Sequence, residues 1–356
     1  MIEDLVARIQ SASAHKTPLC IQGSGSKNWY GQAPQGDILD TRSYAGIIDY
    51  DPSELVITTR CGTLLSEIQK ALAGQQQMLA FEPPSLGSNA TIGGTIAAGL
   101  SGPRRAYAGS MRDFVLGTVL LNGHGERLVF GGQVMKNVAG YDVSRLLVGS
   151  MGCLGLLLEV SLKVAPLPSS EISLSFDMTQ QAAIDQLNRW AGKPLPISAS
   201  SWENQQLIVR LSGSEAATNA AQARLGGERL NSADANHYWT GICEQTHPFF
   251  QDQQIIWRLS LPSTTPQLDL GGDQLIEWGG AQRWLINSSQ TGEQLRQKVT
   301  ALGGHATLFK GGDKPGAEFQ PRFQPLPTIL MTIHRRLKSA FDPSGIFNPG
   351  RLYPEL

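Results

Sequence analysis

Glycine crowding constrains this chain more than any other feature of its sequence. Of 39 glycines in 356 residues, 15 fall between Gly87 and Gly155. Globular chains average about 7% glycine, and a glycine inside an element costs backbone entropy. Such crowding is expected where the backbone must turn with positive φ or approach another surface closely. Three clusters stand out. Gly23-Ser24-Gly25-Ser26-Lys27 follows the short apolar run Leu19–Gln22. Read alone it is either a plain turn or a nest of backbone N–H groups for a phosphate, with Ser and Lys adding donors. Thr91-Ile92-Gly93-Gly94 leads into small residues through Ala98, Gly99 and Gly102. It reads as a tight helix contact or as a helix start that presents N–H groups to a pyrophosphate. Gly149-Ser150-Met151-Gly152-Cys153-Leu154-Gly155 runs straight into the apolar run at Leu156. Three clusters within one domain favour a large ligand carrying a diphosphate. Neither G-x-G-x-x-G nor G-x-x-x-x-G-K-[ST] is present, so the Rossmann and P-loop solutions are set aside.

The rest of the composition narrows the chemistry. The formal charge is 29 − 30 = −1, without the basic excess of a non-specific nucleic-acid binder. No apolar run approaches the roughly 18 residues of a membrane span, and MIEDLVARIQ lacks the pattern of a signal peptide. A cytoplasmic protein is the expectation. Cys20, Cys61, Cys153 and Cys243 lie 41, 92 and 90 residues apart, so no C-x-x-C pair exists for an iron–sulfur cluster or a zinc ribbon. The six histidines form no H-x-H or H-E-x-x-H pair, so no local metal motif is expected.

Periodicity supplies the elements. Ile2, Leu5, Val6 and Ile9 predict an opening helix, and Leu64, Leu65, Ile68 and Leu72 a second one. Strands are predicted at Leu19–Gln22, 55–59 and 156–164, with a hairpin of 114–121 and 127–130 around Asn122-Gly123-His124-Gly125. Pro166 and Pro168 end the glycine-rich texture. Beyond them strands at 172–176, 206–211, 254–261 and 284–287 alternate with helices at 180–191, 215–225 and 292–302, an α+β pattern. A loop over 311–327 precedes a helix at 328–341 and a turn-rich tail.

The order of motifs resembles a known family. G-S-G-S near residue 23, E-P-P at 82–84, T-I-G-G at 91–94, Y-A-G-S-M-R-D-F-V-L-G at 107–117, G-S-M-G-C-L-G at 149–155 and F-N-P-G-R at 347–351 are similar to the vanillyl-alcohol-oxidase (PCMH-type) FAD-binding flavoproteins. The runs Q-V-M-K-N-V-A-G-Y-D-V-S-R-L-L-V-G-S and D-P-S-G-I-F-N-P-G-R-L-Y most resemble the E-subunit family of bacterial glycolate oxidases. The resemblance implies an α+β fold: an FAD-binding domain of two α+β subdomains over 1–166, an α+β cap over 167–310, and a segment over 311–356 that returns to the flavin. It implies non-covalent FAD. Gly23, Ser24, Gly25, Ser26 and Lys27, with Thr91, Ile92, Gly93 and Gly94, would hold the pyrophosphate, and Pro84 and Ala98 would also bind the cofactor. Gly99 and Gly102, with Ser110 and Asp113, would line the ribityl chain and flavin. Gly149, Ser150, Gly152, Leu154 and Gly155 would follow the adenine half. Asn348 and Arg351 would reach the isoalloxazine, where a fixed cation stabilises the reduced ring.

Function follows as an expectation: oxidation of glycolate to glyoxylate, or relay of its electrons, as one subunit of a complex. The partners implied are a D-type flavoprotein subunit and an F-type iron–sulfur subunit, since this chain has no cysteine pattern for clusters. Contact with an inner membrane would come only through that complex. The alternatives are a stand-alone FAD-dependent 2-hydroxy-acid dehydrogenase and a scaffold that has lost its flavin. The His-, Gly- and Asp-rich segment of related dehydrogenases is reduced here to Gly303-Gly304-His305-Ala306-Thr307. His305 or His334 is the candidate base, and Arg335, Arg336 or Arg351 the candidate cation.

Overall fold

A computed structural model describes residues 1–132, 141–251, 255–311 and 320–356. The first eight residues of the Q-V-M-K-N-V-A-G-Y run, Gln254 of the predicted strand 254–261, and positions 312–319 of the predicted loop lie outside the described residues. The chain forms two units. The first takes Met1–Ser101, Ser110–Pro166 and Pro325–Leu356; the second takes Gly102–Gly109 and Leu167–Gln324.

The first unit is built on a five-stranded antiparallel sheet ordered Ile47–Asp51, Val56–Arg60, Leu156–Lys163, Val115–Leu121, Arg127–Gly131. Leu156–Lys163 lies at its centre, and Leu156, Leu158, Val160 and Leu162 are fully buried. The predicted strand 55–59 starts one residue later, because Leu55 holds a left-handed turn at φ 56°. The opening helix is Ile2–His15, and its Leu5 and Ile9 pack on Leu19, Leu156 and Phe347. A smaller parallel pair joins Leu19–Gln22 to Asp37–Asp40. On its other side the tail adds a partner: Leu19 N donates to Ile346 O at 2.7 Å, and Asn348 N donates to Leu19 O at 2.9 Å. Leu19–Gln22 therefore lies between a following segment and a very distant one.

The second unit carries one eight-stranded sheet with four helices of ten residues or more, Gln180–Ala191, Glu215–Leu225, Ser232–Glu244 and Gly292–Ala301. Gly102–Gly109 belongs to it through side chains. Arg104 pairs with Glu171 at 2.7 Å, Arg105 stacks 4.4 Å from the Trp278 ring, and Trp278 Nε1 donates to Gly102 O. Strands Ile197–Glu203 and His305–Lys310 had no forecast. The first is serine-rich, and its Ser200 and Ser201 are buried by sheet neighbours that local sequence does not display.

Glu171 anchors the polar layer of this unit. Burial pushes its carboxyl up, but Arg210 and Arg104, with Ser212, outweigh that and hold it below 4.5. Its pKa is thus lower folded than unfolded. The stability it adds is present in full above the ordinary carboxylate range and is lost as pH falls through the depressed value. Glu171→Gln should lose this increment at neutral pH and show a shallower acid limb in the denaturation midpoint as pH falls through and below the ordinary carboxylate range. Parallel acid limbs for the two proteins would remove Glu171 from the account.

Candidate cofactor groove

The strand Leu19–Gln22 aims the chain into Gly23–Lys27, and Gly25 turns at φ 78°, a conformation that suits glycine. Beside it begins the helix Ile92–Ala98, with Thr91 as N-cap. A Cβ on Gly23 would sit 2.2 Å from Thr91 Oγ1, so glycine lets loop and helix start touch. The third cluster docks on the other end of that helix. Gly149 N donates to Ile96 O and Met151 N to Ala97 O.

Two adjoining cavities follow. The first is walled by residues 20–28 with Thr91, Gly94, Ala98 and the tail residues Asn348 and Arg351. The second lies between Gly93, Cys61, Ser150, Gly152 and Gly155, and shares Ile21, Gly23, Gly94, Ala97, Met151 and Asn348 with the first. No carboxylate lines either one among the described residues, whereas Lys27 and Arg351 line the first. That electrostatic setting suits an anion. Cys20, Ile21, Gln22, Asn28, Ala97 and Met151 line the groove without having been singled out, and their signal was adjacency to the glycine clusters; Pro34 lines it too and carried no such signal.

The cations are also structural. Lys27 is buried, and its ammonium donates to Ser85 O at 2.9 Å, which fixes the segment after Pro84 against the loop. Arg351 is 6% exposed. Its guanidinium donates to the carbonyls of Lys27, Asn28 and Gln32. Expected beside a flavin ring as a cation, it is tied first to the shape of the 27–32 loop. Asn348, at φ 41°, accepts from Ile21 N at 2.8 Å and donates to Met151 O at 2.6 Å. It thereby joins strand, tail and third cluster at the groove.

The glycines divide by what surrounds them. A Cβ on Gly93 would lie 2.8 Å from Cys61 Cβ, on Gly99 2.8 Å from Gly149 Cα, on Gly152 2.6 Å from the Asn348 amide, and on Gly155 2.6 Å from Leu121 O. Those four serve close packing of chain on chain. Gly94 differs: a Cβ there meets only Thr91 Oγ1, at 3.3 Å, and otherwise open groove. Gly94 is therefore the glycine that leaves room for a ligand at the cationic end, whereas Gly25 serves the turn, its Cβ position lying 3.1 Å from the Asn28 amide.

Several forecast residues lie outside both linings. Ile92 is fully buried, and Leu154 packs with Leu120 and Leu147. Ser110 and Asp113 form a capping box on Met111–Phe114, with Ser110 Oγ donating to Asp113 at 2.8 Å. Gly102 belongs to the second unit, as does His305, which pairs with Ser260 on the strand His305–Lys310. His305 stands at the exposed start of that strand, where partial desolvation and the nearby Arg258 push its imidazole down. His334 turns its Nδ1 to Leu330 O and its ring edge to Tyr353. The thiols near the groove stay protonated: burial pushes Cys61 up to about 12, and raises Cys20 although Arg351 opposes it.

The FAD binding domain family matches residues 1–131. Along nearly its whole length the chain is 48% identical to the glycolate oxidase subunit GlcE of Escherichia coli, over 99% of this chain and 97% of that one. The chain belongs to the GlcE family. It is also 29% identical to the glycolate oxidase subunit GlcD of Bacillus subtilis, over 58% of this chain and 45% of that one. In three dimensions it is similar to alkyldihydroxyacetonephosphate synthase, with a TM-score of 0.66, 14% identity and coverage of 98% of this chain and 74% of that one. The FAD binding domain match gives FAD as the cofactor, and the α+β fold is the VAO-like one shared with alkyldihydroxyacetonephosphate synthase. The groove fits the group: a glycine-lined, cation-flanked channel free of carboxylates suits a dinucleotide diphosphate. Among the described residues no helix is long and apolar enough to cross a membrane.

Proposed function

We propose that this GlcE-family chain is the FAD-carrying subunit of a glycolate oxidase complex, working with a D-type flavoprotein subunit and an F-type iron–sulfur subunit. The observation that carries the reading is the groove at Gly23–Lys27 and Gly94, with two cations and no carboxylate on its walls. In it the 23–27 loop and Gly94 hold the diphosphate, and Arg351 and Asn348 keep the loop and tail in place around it. FAD, when bound, accepts the two electrons that leave the C–H bond as a 2-hydroxy acid becomes a 2-oxo acid. Electrons must then leave through a partner, because the four cysteines are dispersed and three of them are buried.

The test is anaerobic titration of the purified chain with glycolate. The chain should be yellow and release FAD on denaturation. Its flavin should bleach slowly or not at all alone, and fully once the two partner subunits are present. Complete quinone-linked turnover by the chain alone would show a self-sufficient dehydrogenase and overturn the assignment. A colourless chain that takes up no FAD would overturn it too.

A further inference from the structure

Beneath the groove, the helix Thr328–Phe341 turns one charged residue inward. Lys338 is 8% exposed, and its ammonium has three acceptors: Cys153 O at 2.8 Å, Phe347 O at 2.6 Å and Asp342 Oδ2 at 2.8 Å. Asp342 is 1% exposed and accepts from Ile346 N at 3.1 Å and Phe347 N at 2.8 Å. All three N–H bonds of the ammonium are used. A buried ion pair is a weak source of stability, because desolvation cancels most of the attraction and an apolar pair of similar volume often does as well. What the pair does supply is geometry. Cys153 belongs to the third glycine cluster and Phe347 to the returning tail. Lys338 pins the two together, and Asn348 bridges them at the next position through Met151 O and Ile21 N.

We infer that Lys338 and Asp342 are positioning residues for the cofactor groove, a role that rests on the groove being the FAD site. Neither is among the residues that line the two cavities. They act through Asn348 and Arg351, by fixing where the tail crosses the strand Leu19–Gln22. Removing both charges together avoids stranding one of them, so folding should survive.

The experiment compares Lys338→Met/Asp342→Asn with Leu72→Ala, a core truncation in the helix Leu65–Ala73 that is remote from the tail in the hydrogen-bond network. FAD affinity and the visible flavin spectrum are measured well below both melting temperatures, and amide hydrogen exchange is followed over 149–155 and 346–351. The double variant should bind FAD about tenfold more weakly, shift the flavin band and lose exchange protection in both segments. Leu72→Ala should lower the melting temperature and leave all three unchanged. Equal affinity and equal protection in the double variant would overturn the inference. If the parent takes up no FAD, the proposed function falls, and exchange protection alone then decides the positioning role. If the double variant does not fold, Lys338→Arg, which keeps the charge opposite Asp342 but not the ammonium's geometry, should show the same changes in smaller measure; parent-like values there would overturn the inference equally.

Discussion

Gly94→Asp should yield a folded chain without flavin. Nothing but Thr91 Oγ1 lies near a Cβ at this position, and φ there is ordinary, so the fold has room for the side chain. The carboxylate would stand in a groove that has no other acid on its walls, beside the place assigned to a diphosphate. At an effective dielectric near 20, two unit charges about 4 Å apart repel by roughly 4 kcal/mol, or about a thousandfold in affinity. Gly94→Ala should weaken binding only slightly. Gly93→Ala should instead damage the fold, since its Cβ would strike Cys61. Visible absorbance, FAD titration and thermal melting separate the three. Full flavin content in Gly94→Asp would move the diphosphate elsewhere.

Arg351→Ala should cost both stability and cofactor. The truncation leaves the carbonyls of Lys27, Asn28 and Gln32 without the guanidinium, the first in a buried setting and the other two in a part-buried one. An abandoned buried acceptor costs about 1–3 kcal/mol, so a loss on the order of 3 kcal/mol is expected for the cluster. The 27–32 loop should loosen, and FAD affinity should fall with it by at least about tenfold. Arg351→Lys should recover little, because one ammonium cannot reproduce a fork that serves three carbonyls. Chemical denaturation and FAD titration give the two numbers. A variant that melts and binds like the parent, with only the flavin midpoint potential lowered, would restore the reading of Arg351 as a cation acting on the ring.

Local pattern carried the elements far. The period of Leu64, Leu65, Ile68 and Leu72 marks a helix, and Asn122–Gly125 marks a hairpin; both are present within two residues of expectation. Glycine counting also located the groove walls, since the three clusters meet there. It did not separate glycines that face a ligand from those that admit a neighbouring backbone. Gly94 and Gly93 look alike in sequence, yet one faces open space and the other Cys61. That difference depends on packing across more than thirty residues, and no local rule encodes it. The Lys338–Asp342 pair was hidden for the same reason. In sequence it is an ordinary i,i+4 pair on a basic helix, and only tertiary burial of that helix face reveals it.

The tail that flanks Leu19–Gln22 has a consequence for biosynthesis. Ile21 and Asn348 are 327 positions apart, and neither cavity wall is complete until both have been made. A growing chain can form its opening helix and the antiparallel sheet early, but it must keep Leu19–Gln22 half-partnered while the whole second unit is translated. Contacts of such long sequence separation form late and slowly. FAD capture should therefore follow translation rather than accompany it. A ribosome-bound chain stalled before residue 346 should bind no flavin, however well its first 166 residues have folded.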